Sequence, residues 1–161
     1  MSPECKTYKV LSGADRSQGN YPQNLNDRKC ETWDLTLPGW YRFEGAAGDR
    51  MLDECVPMEH CGTYAPGWMQ GNHPRVDEGV VTRKVCYHYE YDCCRSNNNI
   101  RVRNCSAYFV YELQKTLYCP LRYCGNALGK LSLFRFLAFV FYKVFQSSTK
   151  KTPLRLRLSY S

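Results

Sequence analysis

The sequence has no long apolar run. Its longest, Leu131–Phe145, is 15 residues and is broken by Ser132, Arg135 and Lys143. A helix that crosses a bilayer needs about 20 apolar residues, so any membrane contact is expected only through this tail. Acidic residues are missing from the tail altogether. Residues 126–161 carry seven basic side chains and no acid, whereas residues 1–125 carry fifteen of each and are neutral. A nucleic-acid binder carries its positive field on the folded part, so no nucleic-acid partner is expected. The chain also lacks the G-x-S-x-G elbow, the P-loop and the H-E-x-x-H pair. The neighbouring acids Asp53-Glu54 and Asp77-Glu78 read as solvated turn residues, and Cys61 beside His60 is no dyad. No catalytic residue, and no cofactor, is therefore assigned. Zinc knuckles of the C-x2-C kind are absent too. The close spacings are Cys55-x5-Cys61, Cys86-x6-Cys93, the adjacent Cys93-Cys94 and Cys119-x4-Cys124. With His60, His73 and His88 scattered, no metal site is assigned. Finally, no basic start and apolar leader precede Cys5.

What the sequence does have is cysteine. There are ten, all between Cys5 and Cys124. An even, dense set of this kind marks a disulfide framework in an oxidising compartment. The cysteines and the missing leader are reconciled if the sequence is a piece of a larger secreted protein, so the expected location is extracellular. Thirteen Tyr, seven Phe and three Trp exclude a disordered chain. Adjacent residues of an extended strand point to opposite sides, so Cys93 and Cys94 are expected to reach separate partners. Spacing alone does not choose the pairing. The alternative is an intracellular thiol- or zinc-dependent binding protein, and a free-thiol count separates the two.

The strand signals lie mainly in the second half. Gly39-Trp40-Tyr41-Arg42-Phe43 predicts a strand of about five residues, and Met51–Pro57 a short further one. Residues 60–79 are dense in Gly, Pro and His and predict a long irregular loop. Residues 1–32 predict a loop-rich segment tethered by Cys5 and Cys30. In Val80–Tyr91, a mostly apolar face of Val81, Arg83, Val85, Tyr87, Tyr89 and Tyr91 alternates with a mostly polar face of Val80, Thr82, Lys84, Cys86, His88 and Glu90, the period of a half-buried strand. Ile100–Arg103 and Ala107–Leu113 alternate likewise, and Asn97-Asn98-Asn99 predicts a turn. Three or four antiparallel strands are expected in residues 80–124. Trp40, Tyr41, Tyr64 and Trp68 are expected in the core rather than in a contact patch. Asn104-Cys105-Ser106 is the single N-glycosylation acceptor, so Asn104 is the candidate glycan site.

A series of motifs occurs in order: Gly39-Trp40-Tyr41-Arg42-Phe43, Cys55-Val56-Pro57, Cys61-Gly62-Thr63, Pro66-Gly67-Trp68, Gly71-x-His73-Pro74, Gly79-Val80-Val81-x-Arg83-x-Val85-Cys86, Cys93-Cys94, Tyr108-x-Val110-Tyr111-x-Leu113 and Tyr123-Cys124. Over about residues 5–124 this closely resembles the cysteine-rich decoy module of the uromodulin-like extracellular family. The resemblance implies an extracellular, non-catalytic, mainly β module. It also implies the pairing Cys5–Cys105, Cys30–Cys119, Cys55–Cys93, Cys61–Cys124 and Cys86–Cys94. The family's best-known role is to present a mannose-rich glycan to bacterial fimbrial adhesins. In uromodulin the acceptor lies in the segment matching Tyr111–Gln114. Here Glu112 fills the Asn slot and Gln114 the hydroxyl slot, so that acceptor is absent.

The expectation is thus a small, disulfide-rich, mainly β fold, with antiparallel strands, long irregular loops and five disulfides. Residues 1–125 form the module, and the basic apolar tail 126–161 stands outside it. An in-frame read-through of a splice donor at Gly129-Lys130 would produce such a tail. The expected role is a non-enzymatic interaction or display module of a larger secreted or membrane-anchored glycoprotein. Its expected partners are other extracellular proteins or glycan-binding adhesins.

Overall fold

The computed structural model describes residues 2–128, apart from residues 22, 23, 25 and 27. The tail beyond residue 128, with its apolar stretch and its splice-donor reading, lies outside the described residues. Seven strands form one sheet: β1 (Lys9–Leu11), β2 (Gly39–Phe43), β3 (Ala65–Gln70), β4 (Val80–Tyr89), β5 (Asp92–Asn104), β6 (Phe109–Leu113) and β7 (Leu121–Tyr123). Their order across the sheet is β1-β2-β6-β5-β4-β3-β7. The one α-helix described, α1 (Glu31–Asp34), is a single turn.

The period of two holds over much of β4, but Cys86 on the expected polar face is wholly buried in its disulfide, and Tyr91, expected on the apolar face, lies exposed in the turn beyond the strand. Val85 and Tyr87 are buried, and Val81 and Tyr89 pack against the same core, while Val80, Thr82 and Lys84 are exposed. All seven strands contribute to that core: Leu11, Tyr41, Phe43, Ala65, Met69, Val85, Tyr87, Ile100, Val102, Tyr111, Leu113, Leu121 and Tyr123. Burying each of these large side chains stabilises the fold by about 1.5–3 kcal/mol. Two smaller clusters, one around Cys61 and Cys124 and one around Cys5, Cys105 and Val110, lie beside this core.

Several segments differ from the expectation. The Asn97-Asn98-Asn99 run is not a turn but the middle of β5, paired with Lys84, Val85 and Cys86. Asn98 is held in the strand because its amide accepts from Tyr87 Oη at 2.7 Å and donates to Tyr123 Oη at 3.0 Å. The chain reverses instead at Glu90-Tyr91, both at positive φ (48° and 62°). Residues 60–79 are not one irregular loop, since β3 runs through them despite Pro66 and Gly67. Pro66 is tolerated because β4 pairs only from Gly67 onward, so no donor is needed at Pro66 on that side. Gly67 is needed because a Cβ there would lie 2.6 Å from the Tyr87 ring. Met51–Pro57 forms no strand, only an isolated bridge from Met51 to Gly125. Strands β1 and β7, both three residues long, add parallel pairings with β2 and β3 to the antiparallel set.

The ordered fold runs past Gly125. Asn126 N–H donates to Arg50 O at 3.0 Å, and Asn126 Nδ2 to Asp49 Oδ1 at 2.8 Å. Gly125 itself is a tight point. Its N–H donates to Arg16 O at 2.8 Å, its carbonyl accepts from Gln18 N–H at 3.1 Å, and a Cβ would collide with the Ala47 carbonyl oxygen. The substitution Gly125→Ala is expected to cost about 1–3 kcal/mol, read as a lower urea midpoint at unchanged m-value.

Candidate functional site

The disulfides set the frame. All ten cysteines are bonded: Cys5 with Cys105, Cys30 with Cys119, Cys55 with Cys93, Cys61 with Cys124, and Cys86 with Cys94. No cysteine is free. Cys93 and Cys94 part ways, because β5 begins at Asp92 and neighbouring strand residues face opposite sides. Cys55, His88 and Cys93 bring their ligand-type atoms within 4.8 Å of one another. Both sulfurs there are spent in one bond, so the group offers a metal no thiolate.

The outer face of β2, β6 and β5 carries a surface of aromatic rings and guanidinium groups. Alternation along β2 buries Tyr41 and Phe43 and turns Trp40 and Arg42 outward, half-buried. The N-terminal segment is stapled here by Cys5–Cys105, which packs with Val110 against Tyr8, Trp40 and Tyr108. The Arg42 guanidinium lies 4.2 Å from the Tyr108 ring centre and donates to Tyr8 Oη at 3.2 Å. That hydrogen bond from Arg42 lowers the Tyr8 phenol below its usual range. Next in the row, Arg101 lies 5.7 Å over Trp40 and grips Glu112 with two nitrogens. Its hydrogen bonds hold the Glu112 carboxyl below the usual carboxylate range. The position that would be a glycan acceptor in the resembling module is thus half of an ion pair. A cleft of about 430 Å³ adjoins this surface, lined by Arg42, Glu44, Gly48, Asp49, Tyr108 and Asn126.

Of the four aromatics expected in the core, only Tyr41 is fully buried. Trp40, Tyr64 and Trp68 are half-buried. Trp40 belongs to the surface just described. Tyr64 stacks under Arg28 at 4.7 Å, and Trp68 Nε1 donates to the Cys93 carbonyl at 2.8 Å. Asn104 is tied into the fold. Its Nδ2 donates to Pro74 O and its Oδ1 accepts from Ser106 N–H, both at 2.9 Å. The adjacent acids Asp53-Glu54 and Asp77-Glu78 are exposed.

Two polar clusters carry no signal in the sequence. In the first, Arg16 donates to Glu31 with both terminal nitrogens, at 2.5 and 2.9 Å, and Glu31 also accepts from Tyr123 N–H at 2.9 Å. Arg122 Nη2 donates to Asp15 at 2.7 Å, and Lys29 lies 3.0 Å from the same carboxylate. Burial pushes the Asp15 carboxyl up, but Arg122 and Lys29 outweigh it and hold the group at about 2. In the second cluster, His73 Nε2 meets Tyr111 Oη at 2.8 Å, and Nδ1 meets Asp53 at 3.3 Å. The Asp53 carboxylate only accepts, so the neutral His73 ring carries its proton on Nδ1 and Nε2 accepts from Tyr111 Oη–H, while Tyr111 Oη accepts from Met51 N–H at 3.0 Å. The order Asp–His–Tyr looks like a proton relay. Yet the Tyr111 side chain is wholly buried and burial drives its pKa up, so no substrate reaches its oxygen.

Burial lowers the pKa of His73, and Asp53 opposes this only in part. The unfolded chain therefore takes up the proton first as pH falls. This contribution to stability is fully present above about pH 6.5, the ordinary value, and is lost as pH falls through the lowered folded value. Asp15 adds a second loss between about pH 3.8 and about pH 2. Urea unfolding measured from pH 7.5 to pH 2 is expected to show both declines, and His73→Asn is expected to flatten the first.

Comparison with known proteins follows the same lines. The family model for the "Uromodulin-like" domain matches residues 41–125. Uromodulin of Mus musculus is 44% identical over 123 residues, which is 76% of this chain and 18% of that protein. "Pancreatic secretory granule membrane major glycoprotein GP2" of Canis lupus familiaris is 40% identical over 124 residues, 76% of this chain and 23% of the relative. The Homo sapiens GP2 glycoprotein is 36% identical over 121 residues, 74% of this chain and 21% of its own length. The chain spans less than a quarter of these curated relatives.

Proposed function

Because the chain belongs to the uromodulin-like domain family, we propose that it is a non-enzymatic extracellular interaction module of a larger glycoprotein. In this reading it binds other extracellular proteins through the outer face of β2, β6 and β5. The observation that carries this is the half-exposed row of Tyr8, Arg42, Tyr108, Trp40 and Arg101 beside the 430 Å³ cleft. Trp, Tyr and Arg dominate binding hot spots, because each offers a large, stiff contact area with a polar edge. The stapling of the N-terminal segment by Cys5–Cys105 holds Tyr8 against this face before any partner arrives. Such preorganisation lowers the ordering cost of binding.

The test is a screen of the secreted, oxidised chain against recombinant ectodomains and bacterial fimbrial adhesins. Alkylation under non-reducing conditions first verifies that no thiol is free. A partner that loses about tenfold or more in affinity for Trp40→Ala and for Tyr108→Ala supports the surface. Partners indifferent to both substitutions overturn it. Adhesin binding that disappears with Asn104→Gln, together with a glycan increment in the intact mass, would move the role from the protein face to a displayed glycan.

A further inference from the structure

The five disulfides differ in what surrounds their sulfurs. Cys61, Cys86 and Cys124 are wholly buried, and Cys5, Cys30 and Cys105 nearly so. Cys93 and Cys119 are exposed and Cys94 is half-buried. Attack at Cys94 would expel the wholly buried Cys86, which leaves Cys55–Cys93 and Cys30–Cys119 as the bonds to compare. Exchange expels the partner sulfur as a thiolate, and its rate follows the stability of that leaving group. Attack at Cys119 expels Cys30, whose side chain is 1% exposed. Burial in such surroundings disfavours a thiolate. Attack at Cys93 expels Cys55, which is only half-buried and lies beside His88. The His88 Nδ1 is 2.8 Å from Val56 O and 3.6 Å from Cys55 Sγ. A carbonyl oxygen only accepts, so Nδ1 carries a proton. That N–H is in place to donate to a nascent thiolate on Cys55. Among the described residues no other disulfide sulfur has an N–H donor within hydrogen-bonding distance.

We propose that Cys55–Cys93 is a thiol–disulfide exchange site, at which a small thiol such as glutathione adds to Cys93 while the rest of the fold stays intact. The glutathione thiolate attacks Cys93 Sγ along the S–S axis. The new S–S bond forms, the Cys55–Cys93 bond breaks, and its electron pair leaves on Cys55 Sγ, which His88 Nδ1–H stabilises. A second glutathione thiolate attacks the mixed disulfide and releases glutathione disulfide, leaving Cys55 and Cys93 both reduced. The opening stays local for a structural reason. Cys94 remains tied to Cys86, which holds the β4–β5 hairpin in register, and Trp68 still donates to the Cys93 carbonyl.

The whole oxidised chain, incubated with reduced glutathione under native conditions, quenched by alkylation at intervals and mapped by peptide mass spectrometry, tests this. Glutathione on Cys93 and alkyl on Cys55 are expected to appear about tenfold or more ahead of any change at Cys30 or Cys119. His88→Ala is expected to cut that lead to about threefold or less, with the Cys30–Cys119 rate as the internal reference. Should His88→Ala disturb folding, the Cys30–Cys119 rate rises, and the site of addition in the unaltered chain decides. Glutathione on Cys55, Cys30–Cys119 opening first, all five bonds opening together, or an unchanged lead in a folded His88→Ala chain would each overturn the proposal.

Discussion

Replacing Glu31 by Gln is expected to lower stability by about 3–5 kcal/mol, the usual result of leaving one half of a buried ion pair behind. The side chain is wholly buried, and three N–H groups point at it, two from Arg16 and one from Tyr123. With the charge gone, Arg16, itself 4% exposed, loses the carboxylate that both its terminal nitrogens grip. The loss corresponds to a fall in Tm of about 10–20 °C for a domain of this size, readable by near-UV circular dichroism. The double substitution Arg16→Met with Glu31→Leu is expected to fall by less than Glu31→Gln alone, since the Arg16 charge goes with its carboxylate and the Tyr123 N–H loses a neutral hydrogen bond only. A single-variant Tm within about 3 °C of the parent would show that some other contact docks the N-terminal segment to β7.

Removal of Cys61–Cys124 by paired Ala substitutions is expected to cost about 4 kcal/mol. The bond closes a loop with a sequence separation of 63, and denatured-state entropy rises with loop length. Removal of Cys86–Cys94, with a separation of 8, is expected to cost about 2–3 kcal/mol by the same relation. Urea unfolding of the two variants against the parent gives the comparison. Equal losses would mean that packing around the sulfurs, not chain entropy, sets the cost.

Legibility in the sequence followed local periodicity. β2, β4 and β6 were readable because outward and inward residues alternate within each strand, and no neighbour had to be known. β3 was hidden because Pro66 and Gly67 weigh against a strand, and only the approach of the Tyr87 ring explains Gly67. The Asn97–Asn99 run misled because the two phenols that hold Asn98 come from Tyr87 and Tyr123, far off in sequence. The site divides the same way. The disulfide framework was legible from the cysteine count. The row of Arg42, Tyr108, Trp40 and Arg101 was not, since it assembles only when β2 and β5 both pair with β6 in register. Neither was the Arg16–Glu31 pair, whose members sit in loop-rich sequence with no period to mark them.

Three of the disulfides have a joint consequence. Cys5–Cys105, Cys30–Cys119 and Cys61–Cys124 overlap along the chain. Any single peptide bond between Cys5 and Cys124 is therefore spanned by at least one of them. A protease that nicks one exposed loop releases no fragment, and the cut chain keeps its mass on a non-reducing gel. In a protease-rich fluid, a surface carried on this framework would outlast the integrity of its own backbone.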